Sequence, residues 1–236
     1  MRNRASRTSR GSRPLAPEAR DYWRFRRALQ TLNSRMIRMI PPELYEEAGA
    51  ALGVYADGRY AFPDEIAMGV LADSCLHDWP DREGRSVAAR YAESAAAQRL
   101  PEPERPVLDA LLRSRYAHFR VEETLPGVGA RVRSAIDDRE FTLIEPLLDR
   151  MPDGNGLWWL SRLMFPAGRC MTTGTPILLG RPGIPDPEEQ LARLRLVRPK
   201  WRSDRDMAIS LASWAICALA ERGKPEDELR IPEGGG

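Results

Sequence analysis

Cys75-x-His77, with Asp73 and Asp78 beside it, is the one cluster of potential metal ligands in the chain. The surrounding residues read as a helix, where positions i and i+2 point about 200° apart, so Cys75 and His77 cannot converge on one ion. A structural zinc asks for four ligands, and Cys170, Cys217 and His118 stand alone. The expectation is a core thiol and a helix-end histidine, with no metal and no cofactor. His118 falls in an alternating run beside Tyr116 and Arg120, on the face read as polar. A general base needs an orienting partner and a nucleophile, and spacing supplies neither. Gly127-x-Gly129 joins two strand-like runs, whereas a phosphate cradle needs a glycine-rich turn leading into a helix. Nucleophile-elbow, zincin and Walker signatures are missing, and Lys200 and Lys224 are the only lysines. An enzyme is disfavoured, leaving only carboxylate chemistry for which no residues stand out.

Charge is the stronger signal. The net charge is +2, yet residues 1–40 carry +9 and the remainder −7. Arginine supplies 34 of the 36 basic residues, a bias that fits a GC-rich genome. Arg2, Arg4, Arg7, Arg10 and Arg13 lie in an Arg/Ser/Thr-rich arm (residues 1–17) with little to bury, which reads as disordered in isolation. Such an arm attracts phosphates without sequence selectivity. The competing readings are a solvated tail or a start codon placed upstream of the true one. Arg24, Arg27, Arg35 and Arg38 form a stripe at helical spacing, a candidate phosphate-backbone contact. The reading favoured on balance is a solvated face, or pairing with the acidic helix that follows.

These residues must be positioned by the elements around them. Residues 18–105 read as a helical region. In Glu18–Ile40, Tyr22, Phe25, Leu29, Leu32, Met36 and Met39 make a heptad-like apolar seam opposite the arginines. Pro41-Pro42 stops it, and Glu43–Tyr55 restarts with Glu43, Glu46 and Glu47. Ala56–Pro63 reads as a loop. Asp64 is placed to cap Glu65–Trp79, and Ser86 to cap Val87–Leu100.

The chain is organised around residues 106–180, where a short helix (Pro106–Ser114) feeds a run of strands. Tyr116–Glu123 alternates with Ala117, Phe119 and Val121 to one side. Ala130, Val132, Ser134 and Ile136 oppose Arg131 and Arg133 in a second run, and Glu140–Glu145 is a third. Leu157–Phe165 is apolar on both faces, as a central strand would be. Cys170–Thr172 and Pro176–Leu179 read as a closing hairpin. Five short strands at close spacing point to an α+β chain, a small SH3-like or OB-like barrel flanked by N- and C-terminal helices. Arg120, Arg131 and Arg133 join the candidate nucleic-acid-binding set from this barrel. Of Trp158-Trp159, Trp201 and Trp214, the adjacent pair must face opposite ways in a strand. Core packing is their first reading and base stacking the second.

The run Arg113-Ser114-Arg115-Tyr116…Phe119-x-Val121, then Pro126-Gly127-x-Gly129-x-x-Val132 and Thr173-Gly174-x-Pro176, resembles uncharacterised bacterial proteins related to SEC-C-motif-containing proteins. The metal-binding motif itself is absent. The resemblance implies a fold for the helix and barrel and no zinc module.

Residues 181–236 read as a linker followed by helices at Glu188–Val197 and Asp204–Arg222, with a fraying end from Pro225. The second helix is apolar nearly all round, through Ala208, Ala212, Ala215 and Ala218; burial is its first reading and a partner surface its second. Met207–Ala220 is too short to span a bilayer, residues 1–20 lack the apolar stretch of a signal peptide, and three scattered cysteines fit a reducing cytoplasm. The function expected is that of a cytoplasmic, non-catalytic binding protein associated with nucleic acid or another anionic partner. The alternative is a protein-interaction or structural module using the apolar C-terminal helix.

Overall fold

Tyr22, Phe25, Leu29, Leu32 and Met36 are all buried along helix α1 (Tyr22–Ile37), so the seam marks the face that meets the core. In the computed structural model of the chain, residues 16–146, 148, 155–174, 176–179, 206–207, 209–213 and 216 are described. The arm arginines Arg2, Arg4, Arg7, Arg10 and Arg13 and the 188–197 helix lie outside them.

Pro41-Pro42 ends α1 because proline removes a donor and fixes φ, and Pro42 opens α2 (Pro42–Ala51) at a position where that costs nothing. Helix α3 (Glu65–His77) starts at the expected cap, with Asp64 Oδ1 accepting from Ala67 N at 2.9 Å. Ser86 likewise caps α4 (Val87–Glu93). That helix stops short of Leu100 because Ser94 turns extended (φ −74°, ψ 154°) and caps a separate short helix, α5 (Ala95–Gln98). Helix α6 (Arg105–Leu112) leads into the sheet.

The stretch expected as a loop holds a miniature hairpin, β1 (Tyr55–Ala56) and β2 (Arg59–Tyr60). Its turn is Asp57-Gly58, both at positive φ (53° and 73°), and Asp-Gly is a strong short-range hairpin signal.

The remaining strands are β3 (Arg115–Leu125), β4 (Gly129–Ser134), β5 (Glu140–Ile144), β6 (Trp158–Met164), β7 (Met171–Thr172) and β8 (Ile177–Leu179). They form an antiparallel sheet in the order β5-β4-β3-β6-β7, with β8 also on β6, curled into a half-barrel. Its two edges meet where Ile144 N donates to Cys170 O at 2.8 Å. Among the described residues, β7 and β8 do not pair with each other as the expected closing hairpin. β7 pairs with one end of β6 (Leu163↔Thr172) and β8 with the other (Trp158↔Leu179). β6 is buried along both faces, and each of its edges is covered by strand.

β6 and the adjoining first half of β3 are buried on both faces. Phe119, Val121, Val132, Leu143, Trp159 and Leu163 belong to one apolar cluster. Tyr116, Leu160, Met164 and Ile177, on the other face, join the helical core around Leu32, Leu71 and Leu111. This corrects the polar-face reading of β3 at Tyr116 and His118, where the side is covered and His118 is 0% exposed, while Arg120 farther along the same side stays exposed. Leu211, Ala212 and Ile216 of the helical segment near residues 206–216 are buried in the same core, the first reading of that helix.

Gly129 opens β4 at φ 147°, and a Cβ there would overlap the Leu143 carbonyl oxygen. Gly129→Ala is expected to lower stability by roughly 3–4 kcal/mol in urea unfolding. Gly84→Ala, at φ 79° with open space around it, should cost only the backbone strain, about 1–2 kcal/mol. Equal losses at the two sites would contradict this packing.

Candidate functional site

A lone cation in the middle of a strand buried on both faces must find carboxylates or be expelled. Arg162 of β6 is 2% exposed and finds two. Its Nε donates to Asp73 Oδ2 at 2.5 Å, its Nη2 to Asp78, and its Nη1 to the Ser114 carbonyl at 3.5 Å. Asp73 also accepts from Thr173 Oγ1 at 3.1 Å, and the guanidinium lies 5.6 Å from the centre of the Tyr116 ring. Burial opposes the charge on Arg162, but Asp73 and Asp78 outweigh it and the net shift is upward. Burial and the neighbouring Arg162 push His77 down to about 4. His77 borders a polar cleft of ≈ 590 Å³ with Asp78, Arg85 and Arg113. Cys75 turns instead toward α2, with its sulfur 4.0 Å from the Leu44 carbonyl. Burial lifts both Cys75 and Cys170 to about 12, so each is a neutral thiol. Among the described residues, no three His, Cys, Asp or Glu side chains are grouped to hold a metal ion.

A second buried cluster joins α1 to the half-barrel. Tyr22 and Arg26, one helical turn apart, both reach Glu145, just beyond β5. Tyr22 donates to Glu145 Oε1, and Arg26 Nη2 lies 2.6 Å from Glu145 Oε2. Arg26 Nη1 donates to the Thr172 carbonyl at 3.0 Å, and Thr172 Oγ1 to Glu145 Oε2 at 3.0 Å. The Tyr22 phenol is pushed well above its usual range by burial and then by Glu145. The pair is neutral as a unit and its polar atoms are engaged.

Beside this cluster, a cleft of ≈ 470 Å³ runs between α1 and the face of the half-barrel that carries Phe119 and Trp159. Trp23, 43% exposed, is part of its lining. Trp159 lines it and is 7% exposed, and its indole N–H donates to no acceptor among the described residues. The Asn33 side-chain oxygen, also in this lining, accepts from none.

Residues 17–179 match a family of unknown function, DUF7986. The chain belongs to that family. No curated protein and no solved structure matches it. In this DUF7986 chain the matched segment runs from the turn before α1 through β8, and both arginine clusters and the cleft lie inside it.

The arginines singled out by spacing part company in the fold. On α1, Arg24 meets Asp21 at 3.3 Å and lies 5.2 Å from the Phe25 ring centre. Arg27 Nε donates to the Trp23 carbonyl at 3.3 Å, and Arg38 sits exposed at the helix end. Arg35 pairs with Glu104, ahead of α6, and not with Glu43, Glu46 or Glu47 of α2. Helix α2 packs chiefly on α3, while α1 packs on α3, α4 and α6. Arg20, Arg27 and Arg38 make no ion pair among the described residues. On the sheet, Arg131 pairs with Glu123 at 2.8 Å, and Arg133 with Glu140, Asp138 and Glu122. Arg120 is exposed, 5.9 Å from the Trp158 ring centre. The basic face is thus on α1, and the β3–β4 arginines are largely compensated. Arg26, Glu145 and Arg162 escaped the sequence reading, although a solitary arginine within Leu157–Phe165 was the available signal.

Two tests follow from the buried charges in the DUF7986 chain. Arg162→Met strands two carboxylates and should cost about 3–5 kcal/mol in urea unfolding at pH 7, whereas adding Asp73→Asn and Asp78→Asn should recover much of that loss. No recovery would mean that the arginine acts through packing alone. The second test concerns His118, which burial against Trp158 lowers from 6.5 to about 3. As pH falls through 6.5 the unfolded chain binds a proton that the folded chain refuses. Stability from this group therefore declines by about 1.4 kcal/mol per pH unit between 6.5 and 3. His118→Leu should remove that component of the slope, seen as a flatter stability–pH curve than that of the parent.

Proposed function

We propose that this protein is a non-catalytic binding protein that associates with single-stranded nucleic acid through the outer face of α1 and the basic arm preceding it. The observation that carries this reading is Trp23. It is an exposed indole on α1 with Arg24 and Arg27 on the same helix and Arg20 just ahead of it, and Arg20 and Arg27 make no ion pair among the described residues. Exposed aromatic rings accept stacked bases of any sequence, and neighbouring arginines neutralise the phosphates. The arm continues from Ala16, whose N–H donates to Gly127 O at 3.2 Å in the β3–β4 turn.

Several features support the absence of catalysis in this reading. The described cysteines are neutral thiols, His77 and His118 are held uncharged, and Asp73, Asp78 and Glu145 are engaged by arginine. A cytoplasmic setting belongs to the same proposal, supported by the buried thiols; no helix among the described residues is long and apolar enough to cross a membrane. The likeness to bacterial proteins related to SEC-C-motif proteins is proposed for the helix and half-barrel alone.

A protein-interaction role has one observation in its favour. An apolar groove of ≈ 910 Å³ lies between α2, α3 and the β1–β2 hairpin, where Tyr60 stacks on Phe62 (5.6 Å) and Met68 is 51% exposed. The apolar C-terminal helix serves that role less well, since Leu211, Ala212 and Ile216 are spent on the chain's own core.

Fluorescence anisotropy with a labelled single-stranded oligonucleotide tests the primary reading. The affinity of the full chain should fall log-linearly with salt, and the slope should drop by about 1 for each of Arg24→Ala and Arg27→Ala. Trp23→Ala should weaken binding by about 1–3 kcal/mol. Removing residues 1–13 should weaken it further. Association that ignores salt, or that survives loss of all three side chains, would transfer the assignment to the apolar groove and a protein partner.

A further inference from the structure

The groove of ≈ 910 Å³ between α2, α3 and the β1–β2 hairpin combines accessible aromatic surface with charge of one sign. Tyr60 is 42% exposed and Met68 51%, and Tyr45 and Phe62 add half-buried rings to the same lining. The fold sets these rings in place. Tyr60 lies 4.7 Å from Tyr55 and 5.6 Å from Phe62, centre to centre. Gly49 of α2 permits the close approach, since a Cβ there would stand 3.1 Å from Tyr60 Cε1. Two exposed carboxylates, Glu46 of α2 and Glu65 of α3, share the lining, and neither makes an ion pair among the described residues. No arginine, lysine or histidine lines the groove among those residues. Partial burial, and then the charge of Glu46, raise the phenols of Tyr55 and Tyr60.

We propose that this groove binds a small organic cation, an ammonium head on an apolar body. The Glu46 and Glu65 carboxylates draw the head, and the body packs on Tyr60, Phe62 and Met68. An anion would meet repulsion here. A wholly apolar occupant would take water from two carboxylates and give them nothing in return. A cation on an apolar body answers both conditions, because aromatic rings attract organic ammonium groups and a thioether is soft and polarisable. The volume lies within the range of sites that enclose small molecules, which favours a free molecule over a segment of a partner protein. This site shares no residue with the α1 face assigned to nucleic acid and stands without that reading.

Titration of the full chain with methyl-labelled methionine, followed at the Met68 methyl by NMR, tests the proposal with probes that share one ring. Phenethylammonium and benzyltrimethylammonium carry the charge, phenethyl alcohol lacks it, and hydrocinnamate reverses it. Both cations should shift Met68 saturably and bind about fivefold or more tighter than the alcohol, and hydrocinnamate should not bind. Added salt should narrow the gap between cation and alcohol. Glu46→Gln combined with Glu65→Gln should weaken both cations about threefold or more and leave the alcohol unchanged. Tyr60→Leu, which keeps apolar surface but removes a ring, should weaken the cations about twofold to fivefold more than the alcohol. If that change disturbs the hairpin, the glutamine pair carries the test, since both glutamates are exposed. The proposal is overturned if neither cation gives a saturable shift, or if cation and alcohol bind alike. It also fails if the groove takes an Arg- and Leu-rich peptide while refusing both cations, which would return it to a protein partner.

Discussion

The guanidinium of Arg162 between Asp73 and Asp78 is the interaction on which the rest of this architecture depends. A buried cation in the middle of β6 is tolerable only if the carboxylates of α3 and of its C-cap, Asp78, sit against the strand. Meeting that demand fixes the helical layer on one face of the sheet. Thr173, which donates to Asp73, then sets where the chain runs just after β7. The preceding residue, Thr172, serves the second cluster by bonding Arg26 and Glu145, and so ties α1 to the half-barrel. Two adjacent threonines thus couple both helices to a strand of only two residues, far too short to hold its position by ladder bonds alone.

This arrangement divides the charges of the chain by role. Arginines that enter the fold are matched with carboxylates and serve as fasteners. On the outer face of α1, Arg27 makes no ion pair among the described residues, and Trp23 lies one turn before it. The cleft between these two populations is electrically quiet, because Arg26 and Glu145 cancel, and it is rich in aromatic surface. A general base needs a pKa near the working pH, and burial has moved His77 and His118 far below it.

Much of the local structure was legible in the residues. The α1 seam, the caps at Asp64 and Ser86, the Pro41-Pro42 break and the strand runs of β3 to β6 each report a short-range rule of spacing or backbone chemistry. Asp57-Gly58 was equally local and could have been read. The early end of α4 was harder, because Ser94 can either continue a helix or cap the next one, and packing chose the second.

The sequence by itself determined the α+β class, the apolar seam of α1, the order of the strand runs and the uneven distribution of charge. Only the tertiary structure decided that His118 is interior, that β7 and β8 both serve β6, and that Arg35 answers to Glu104 while Arg26 and Arg162 become buried fasteners. The physical reason is one of range. Periodicity records which side chains share a face, since that follows from backbone geometry a few residues long. Whether a second layer covers that face, and which distant carboxylate meets a given arginine, depends on how whole elements pack. In this chain Asp73 and Arg162 are 89 positions apart, and no local pattern links them.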